Sequence, residues 1–318
     1  MFIVKTNEKR VEKMKKLGII LLSLGLVLGL TACGSSNEVQ EPTNVTTGES
    51  TQNEEVSTEV AVTPNVENTN KEATIEETVI LDESGIKVTA KGISYDTMMG
   101  PSLQLLIENN SGKDLTFQCR DTSINGNMVE PMFSVDVVNG KKANDTITFM
   151  DSDLEKYGIE TIADITFSLN IMDSSSWEDY IVTPQIQLKT SAFDTYEYTY
   201  DNSGQVVYNE NGIEVVVKGL ATDSSLLGPG IVVYIANNSN QDITVQARDI
   251  SVNGFMIDGI FSQDVVVGKH ALSEVTFLES DLEQNGITNI ENAELAFHIF
   301  DQESWDTIVD TDVVKITF

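Results

Sequence analysis

The sequence predicts an all-β protein in which one sandwich domain occurs twice in tandem. Three observations carry that reading. The passage QCRDTSINGNMV at residues 118–129 returns as QARDISVNGFMI at residues 246–257, a shift of 128 positions. Around both passages apolar residues alternate with polar ones: Leu115, Phe117 and Cys119 in the first, Ile243, Val245 and Ala247 in the second. A period of two puts one face of a strand against a core. Each run then meets Asn-Gly, at Asn125-Gly126 and Asn253-Gly254. That pair closes a two-residue hairpin, whose central residues both need positive φ.

The elements follow in chain order. Lys13, Lys15 and Lys16 precede an apolar run from Leu17 to Leu30. The run is 14 residues long, short of the roughly 20 that a spanning helix needs. It ends in Leu30-Thr31-Ala32-Cys33-Gly34. This segment resembles the lipobox of bacterial lipoproteins, in which a branched apolar residue and two small ones precede a cysteine. The resemblance implies that residues 1–32 are a lipoprotein signal peptide. It also implies lipidation of Cys33, with the chain anchored on the outer face of the cytoplasmic membrane at a Gram-positive cell surface. Two acyl chains anchor stably where one is marginal, at roughly 0.8 kcal/mol per buried methylene. An uncleaved anchor with an incidental cysteine is the alternative.

Residues 33–77 read as a disordered acidic stalk. Between 34 and 77 there are ten acidic residues, one lysine and no aromatic residue. Such a segment buries too little apolar surface to offset the entropy of ordering it.

Residues 78–190 and 204–318 are the two domains, with 191–203 between them. Beyond the opening passage, Gly100-Pro101 meets Gly228-Pro229, and Asn109-Asn110-Ser111 meets Asn237-Asn238-Ser239. Ser152-Asp153-Leu154-Glu155 meets Ser280-Asp281-Leu282-Glu283, and Trp177 meets Trp305. Roughly 110 residues correspond, the length of a domain. Ser152 and Ser280, each three residues before a glutamate, read as N-caps of one short helix that Gly158 or Gly286 ends. Seven or eight strands of five to nine residues per copy suggest an immunoglobulin-like two-sheet sandwich, with a closed barrel as the alternative. Tyr196, Tyr198 and Tyr200 alternate between the copies. They suggest an extra strand, or a linker that docks one copy on the other.

The elements Leu105-Leu106-Ile107-Glu108-Asn109-Asn110-Ser111, Gly140-Lys141 and Thr148-Phe149 resemble the telokin-like or immunoglobulin-like extracellular domains of Gram-positive lipoproteins. The resemblance spans both copies and implies no catalytic residue.

Charge narrows the function. The chain holds 19 basic and 50 acidic side chains, net −31, so it repels polyanions and nucleic acid is not an expected partner. There are two histidines, His270 and His298, and one cysteine besides Cys33, Cys119. Cys119 reads as a small buried hydrophobe. No His/Cys spacing suits zinc, and no cofactor is implied. Asp151 with Asp153, Glu279 with Asp281, and the acidic loops ending at Trp177 and Trp305 have oxygens that could hold Ca²⁺, but acids at a helix start also serve the helix itself. The candidate binding residues are Arg120, Asp121, Arg248, Asp249, Trp177 and Trp305. An arginine present in both copies suggests a fixed partner, a carboxylate or backbone carbonyl beside the hairpin. A ligand is the sharper alternative. The tryptophans suggest plugs at the ends of the cores, or platforms for a sugar ring. The expected role is non-catalytic binding or scaffolding at the cell envelope, with cell-wall polymer or another envelope protein as partner. The alternatives are a calcium- or carbohydrate-binding accessory module and a carboxylate-dependent hydrolase.

Overall fold

The computed structural model describes residues 72–221 and 227–318. The signal segment, Cys33 and most of the expected stalk lie outside them.

The first sandwich has two antiparallel sheets. One runs in the order β1 (Thr78–Glu83), β2 (Ile86–Ser94), β3 (Ser102–Asn109), β7 (Lys141–Thr148). The other is centred on β4 (Leu115–Ile124) paired with β8 (Asp164–Asp173). On the far edge of β4 lie β5 (Asn127–Met128) and β6 (Ser134–Val137), and on the far edge of β8 lie β9 (Asp179–Val182) and β10 (Ile186–Lys189). The strand joins β2–β3–β7 and β4–β8–β10 give the two-sheet pairing of an immunoglobulin-like sandwich, open at its edges rather than closed as a barrel. Phe117, Phe149, Phe167, Leu103, Leu105 and Ile107 fill the space between the sheets, each fully buried.

The second sandwich repeats this plan. Its first sheet is β11 (Gln205–Glu210), β12 (Ile213–Leu220), β13 (Gly230–Asn237) and β18 (Lys269–Phe277), with β16 (Gly259–Ile260) on the end of β18. Its second holds β14 (Ile243–Val252) and β19 (Asn292–Asp301), flanked by β15 (Phe255–Met256), β17 (Ser262–Val265), β20 (Thr307–Asp310) and β21 (Val314–Thr317). The registers match: Glu108 faces Lys142 in the first sandwich, and Ala236 faces His270 in the second. The two hydrophobic cores are separate clusters.

The repeated motifs are structural locks. Asn109 and Asn237 are fully buried. The Asn109 amide donates to the carbonyls of Lys113 (2.8 Å) and Val137 (2.6 Å), and its oxygen accepts from Ser111 N (3.0 Å). Asn237 does the same with Gln241, Val265 and Ser239. One side chain thereby satisfies three loop groups that burial would otherwise strand. In the hairpins, Asn125 Oδ1 accepts from the amides of Ala163 and Asp164, and Asn253 Oδ1 from those of Glu291 and Asn292. The Asn-Gly pair therefore turns the chain and also ties the turn to the neighbouring strand.

Four expectations need correction. The strand segments number ten in the first sandwich and eleven in the second, because long edge strands are interrupted. At the interruption between β9 and β10, the Thr183 hydroxyl accepts from Leu169 N at 2.8 Å, and Thr311 does so for Phe297. A side chain stands in there for a missing ladder carbonyl. The stalk is shorter than expected, since Ala73 and Ile75 are buried and Ser191 N donates to Thr74 O. Ser152 and Ser280 are not N-caps. The short helices α1 (Asp151–Lys156) and α2 (Glu279–Gln284) are preceded by Met150 and Leu278, with no side-chain cap. Both serines sit inside the first turn among acidic residues that suit its positive end. Lastly, residues 191–203 form turns and extended chain but no strand. The tyrosines pack one sandwich on the other instead.

That docking is specific. His270 N donates to Gly126 O at 2.9 Å, joining β18 to β5. Tyr200 donates to Asn125 O and stacks on the His270 ring with centroids 3.6 Å apart. The Tyr157 hydroxyl donates to Met128 O and accepts from Leu272 N, each at 2.8 Å. Beneath lie Val216, Tyr234 and Ala236, all buried.

Candidate functional site

Arg120-Asp121 and Arg248-Asp249 occupy a β-bulge. The pairing of β4 with β8 shifts between Arg120 and Ser123, and that of β14 with β19 between Arg248 and Ser251. The bulge puts Asp121 at φ 51° and Asp249 at φ 50°, a left-handed conformation that Asp tolerates better than most residues. Recurrence of the Asp has a backbone cause. The arginines are exposed and, among the described residues, bond to neither a carboxylate nor a backbone carbonyl, the partners expected. With the Asn170 amide turned so that its oxygen faces Arg120, the guanidinium donates to that oxygen at 2.9 and 3.2 Å and the amide nitrogen donates to Asp179. Arg248 donates to Gln246 Oε1 at 2.6 Å. Each arginine thus meets a neutral amide on its own sheet.

Asp121 turns towards the second sandwich. Burial raises its pKa, and Asp242 and Asp264 across the junction raise it further, while a hydrogen bond from Ser168 at 3.2 Å opposes them. Glu130 nearby is raised chiefly by burial, then by Asp153 and Asp264. Among the described residues, no group of three or more His, Cys, Asp or Glu side chains is arranged to hold a metal ion.

The tryptophans are not core plugs. Trp177 is 65% exposed and Trp305 59%. Both loops are built alike. Asp173 Oδ1 accepts from the amides of Ser175 and Ser176, and Asp301 Oδ1 from those of Glu303 and Ser304. The tryptophan amide then closes the turn on the aspartate carbonyl, at 2.8 and 2.9 Å. Trp177 sits at φ 60° and Trp305 at φ 64°, and both side chains stay largely open to solvent. The Lys113 ammonium at 2.8 Å, then Ser175, hold Asp173 below the usual carboxylate range, and the Ser304 amide, with Glu303, does so for Asp301. The acids serve as turn locks. Trp305 also stacks on Phe300, centroids 5.4 Å apart, and Phe300 neighbours His298. The first sandwich has Met172 and Asn170 at those positions.

The remaining nucleophile and bases are occupied structurally. Burial pushes the Cys119 thiol up to about 11, so it stays protonated. His298 contacts Asp310 at 2.6 Å. His270 is pulled down to about 4, first by burial and then by Lys269.

Sequence reasoning missed a cleft between the sandwiches. Its volume is about 830 Å³, and it runs between α1 (Ser152, Glu155, Lys156) and the outer face of the β13–β18 sheet (Val232, Leu272, Glu274). No repeated motif marks it, because it exists only where two unlike faces of the repeat meet.

No model of a known protein family matches the chain, and no curated protein matches it either.

Proposed function

We propose that this chain is a lipid-anchored surface protein whose paired sandwiches bind a repetitive ligand of the cell envelope without catalysis. The observation that carries the reading is the pair of tryptophan loops. Two aromatic faces are held out into solvent by the same aspartate lock, on two domains that a tyrosine-lined junction holds in one orientation. An exposed aromatic face suits a sugar ring. Two such faces at fixed spacing suit a polymer, since the second contact forms at high effective concentration. The lipobox-like Leu30-Thr31-Ala32-Cys33 supplies the anchor in this reading, and cell-wall polymer is the partner. The engaged histidines and the protonated Cys119 favour binding over acid–base or thiol chemistry.

Co-sedimentation with purified cell wall tests it. The wild-type chain is expected to sediment, Trp177→Ala or Trp305→Ala to weaken retention, and the double variant to lose it. Equal retention of the double variant overturns the role of the loops. Release of Cys33→Ala from cells tests the anchor separately.

A further inference from the structure

Lys156 is one of five described lysines, with Lys87, Lys141, Lys189 and Lys269, that form no ion pair, and of those five it is the one that lines the interdomain cleft. Lys91, Lys113, Lys142, Lys218 and Lys315 each form an ion pair with a carboxylate. Lys156 has Asp153, Glu274 and Glu130 near enough to act on it electrostatically, yet no ion pair is formed with any of them. Its ammonium stands 5.0 Å above the Tyr157 ring, on the wall of the interdomain cleft. Glu155 and Glu274 line the same cleft and bond to no described side chain. The helix wall of the cleft thus carries Lys156 beside Glu155, and the sheet wall opposite carries Glu274.

Hydroxyls complete the lining. Ser152 and Thr276 line the cleft with no side-chain hydrogen bond to another described residue, while Val232 and Leu272 make an aliphatic floor. The volume falls within the range of roughly 300–1,000 Å³ typical of small-molecule sites, which favour domain interfaces. An anion alone would leave the carboxylates unmatched, and a cation alone would leave Lys156 unmatched. A ligand bearing both charges matches them together.

We propose that the interdomain cleft is a binding site for a small zwitterion of the peptide class. Its carboxylate meets Lys156, its ammonium meets Glu274, and its amide meets the hydroxyls. The small side chain rests on Val232 and Leu272. The site is separate from the tryptophan loops and does not depend on wall binding.

The test is calorimetric titration of the full chain with alanylalanine, using acetate and ethylamine as single-charge controls. The dipeptide is expected to bind, each control to bind about tenfold more weakly or worse, and Lys156→Met and Glu274→Gln each to lower dipeptide affinity about tenfold. Both variants should melt like the wild type without dipeptide. Two variants are used so that a structural failure of one leaves the other readable. No heat at about 10 mM dipeptide, acetate binding as tightly as the dipeptide, or a Lys156→Met protein that binds it unchanged would each overturn the proposal. Wall sedimentation of the same variants is expected to stay at the wild-type level, so a failure here is distinguishable from a failure of the tryptophan loops.

Discussion

The outer faces of the two four-stranded sheets share a backbone and differ in chemistry. In the second sandwich that face carries Val216, Tyr234, Ala236, His270 and Leu272, and it is covered. At the same places the first has Thr89, Leu106, Glu108, Lys142 and Asn144, with Glu108 and Lys142 ion-paired in the open. The hairpin tips differ in the opposite sense. Asn127 of the first sandwich is 1% exposed against its neighbour, while Phe255 and Met256 of the second are 47% and 72% exposed. Five positions on one face therefore separate an apolar docking platform from a more polar surface that binds no second sandwich, while cores, turns and registers stay the same. An interface is a small apolar edit on a fold that is already stable, because burial acts through area and not through topology.

The largest expected effect comes from copying the first face onto the second. Ala236→Glu places a carboxylate beneath Tyr200 and Tyr234, opposite a His270 that docking keeps neutral. It should cost about 3 kcal/mol of docking. Calorimetry should then resolve two transitions, and small-angle scattering an extended particle. A single unchanged transition would mean that the platform is not what holds the sandwiches together.

Acid sharpens the same comparison. Docking keeps His270 neutral, with its pKa lowered to about 4 from an ordinary value near 6.5. The undocked state then binds more protons, so docking weakens as pH falls from about 6.5 to about 4 and levels off below. Partial solvent access limits the loss to about 1–2 kcal/mol. Lys269, Glu214 and Tyr234 face the imidazole. Asp121 and Glu130, whose pKa values are raised at the junction, act with the opposite sign. The measurement is therefore the difference between wild type and His270→Gln across pH 4–7, which should shrink as pH falls.

A smaller effect separates the two hairpin glycines. Gly126 (φ +82°) and Gly254 (φ +84°) pay the same backbone strain on substitution by alanine. A Cβ at Gly126 presses on the Tyr200 hydroxyl, whereas at Gly254 it meets nothing within 4 Å. Gly126→Ala should cost about 1 kcal/mol more than Gly254→Ala in chemical denaturation, and the gap should close in a Tyr200→Ala background. The smallest effect belongs to the loops. Trp177→Ala and Trp305→Ala should each change stability by less than about 0.5 kcal/mol, whatever they do to wall binding.

Much of the architecture was legible in the residues. Strand alternation, the two Asn-Gly turns and the shift of 128 positions are local or self-referential signals, and they place the central strands β4 and β14, their hairpin turns and the duplication. The cap assigned to Ser152 failed because an acidic first turn and a serine cap share one composition. The tryptophan plug failed because an aspartate lock holding a residue at positive φ reads in sequence like any polar loop.

What the sequence by itself determined is the sandwich, its duplication and the motifs that close its turns, because each depends on residues near one another along a strand or across one hairpin. Only the tertiary structure decided that residues 191–203 are a tyrosine-bearing strap, that Arg120 answers Asn170, and that Lys156 faces Glu274 across a cleft. Those relations join residues up to about a hundred positions apart through the docking of two similar bodies. The free energy of that docking lies in shape and burial on one face, which no local pattern records.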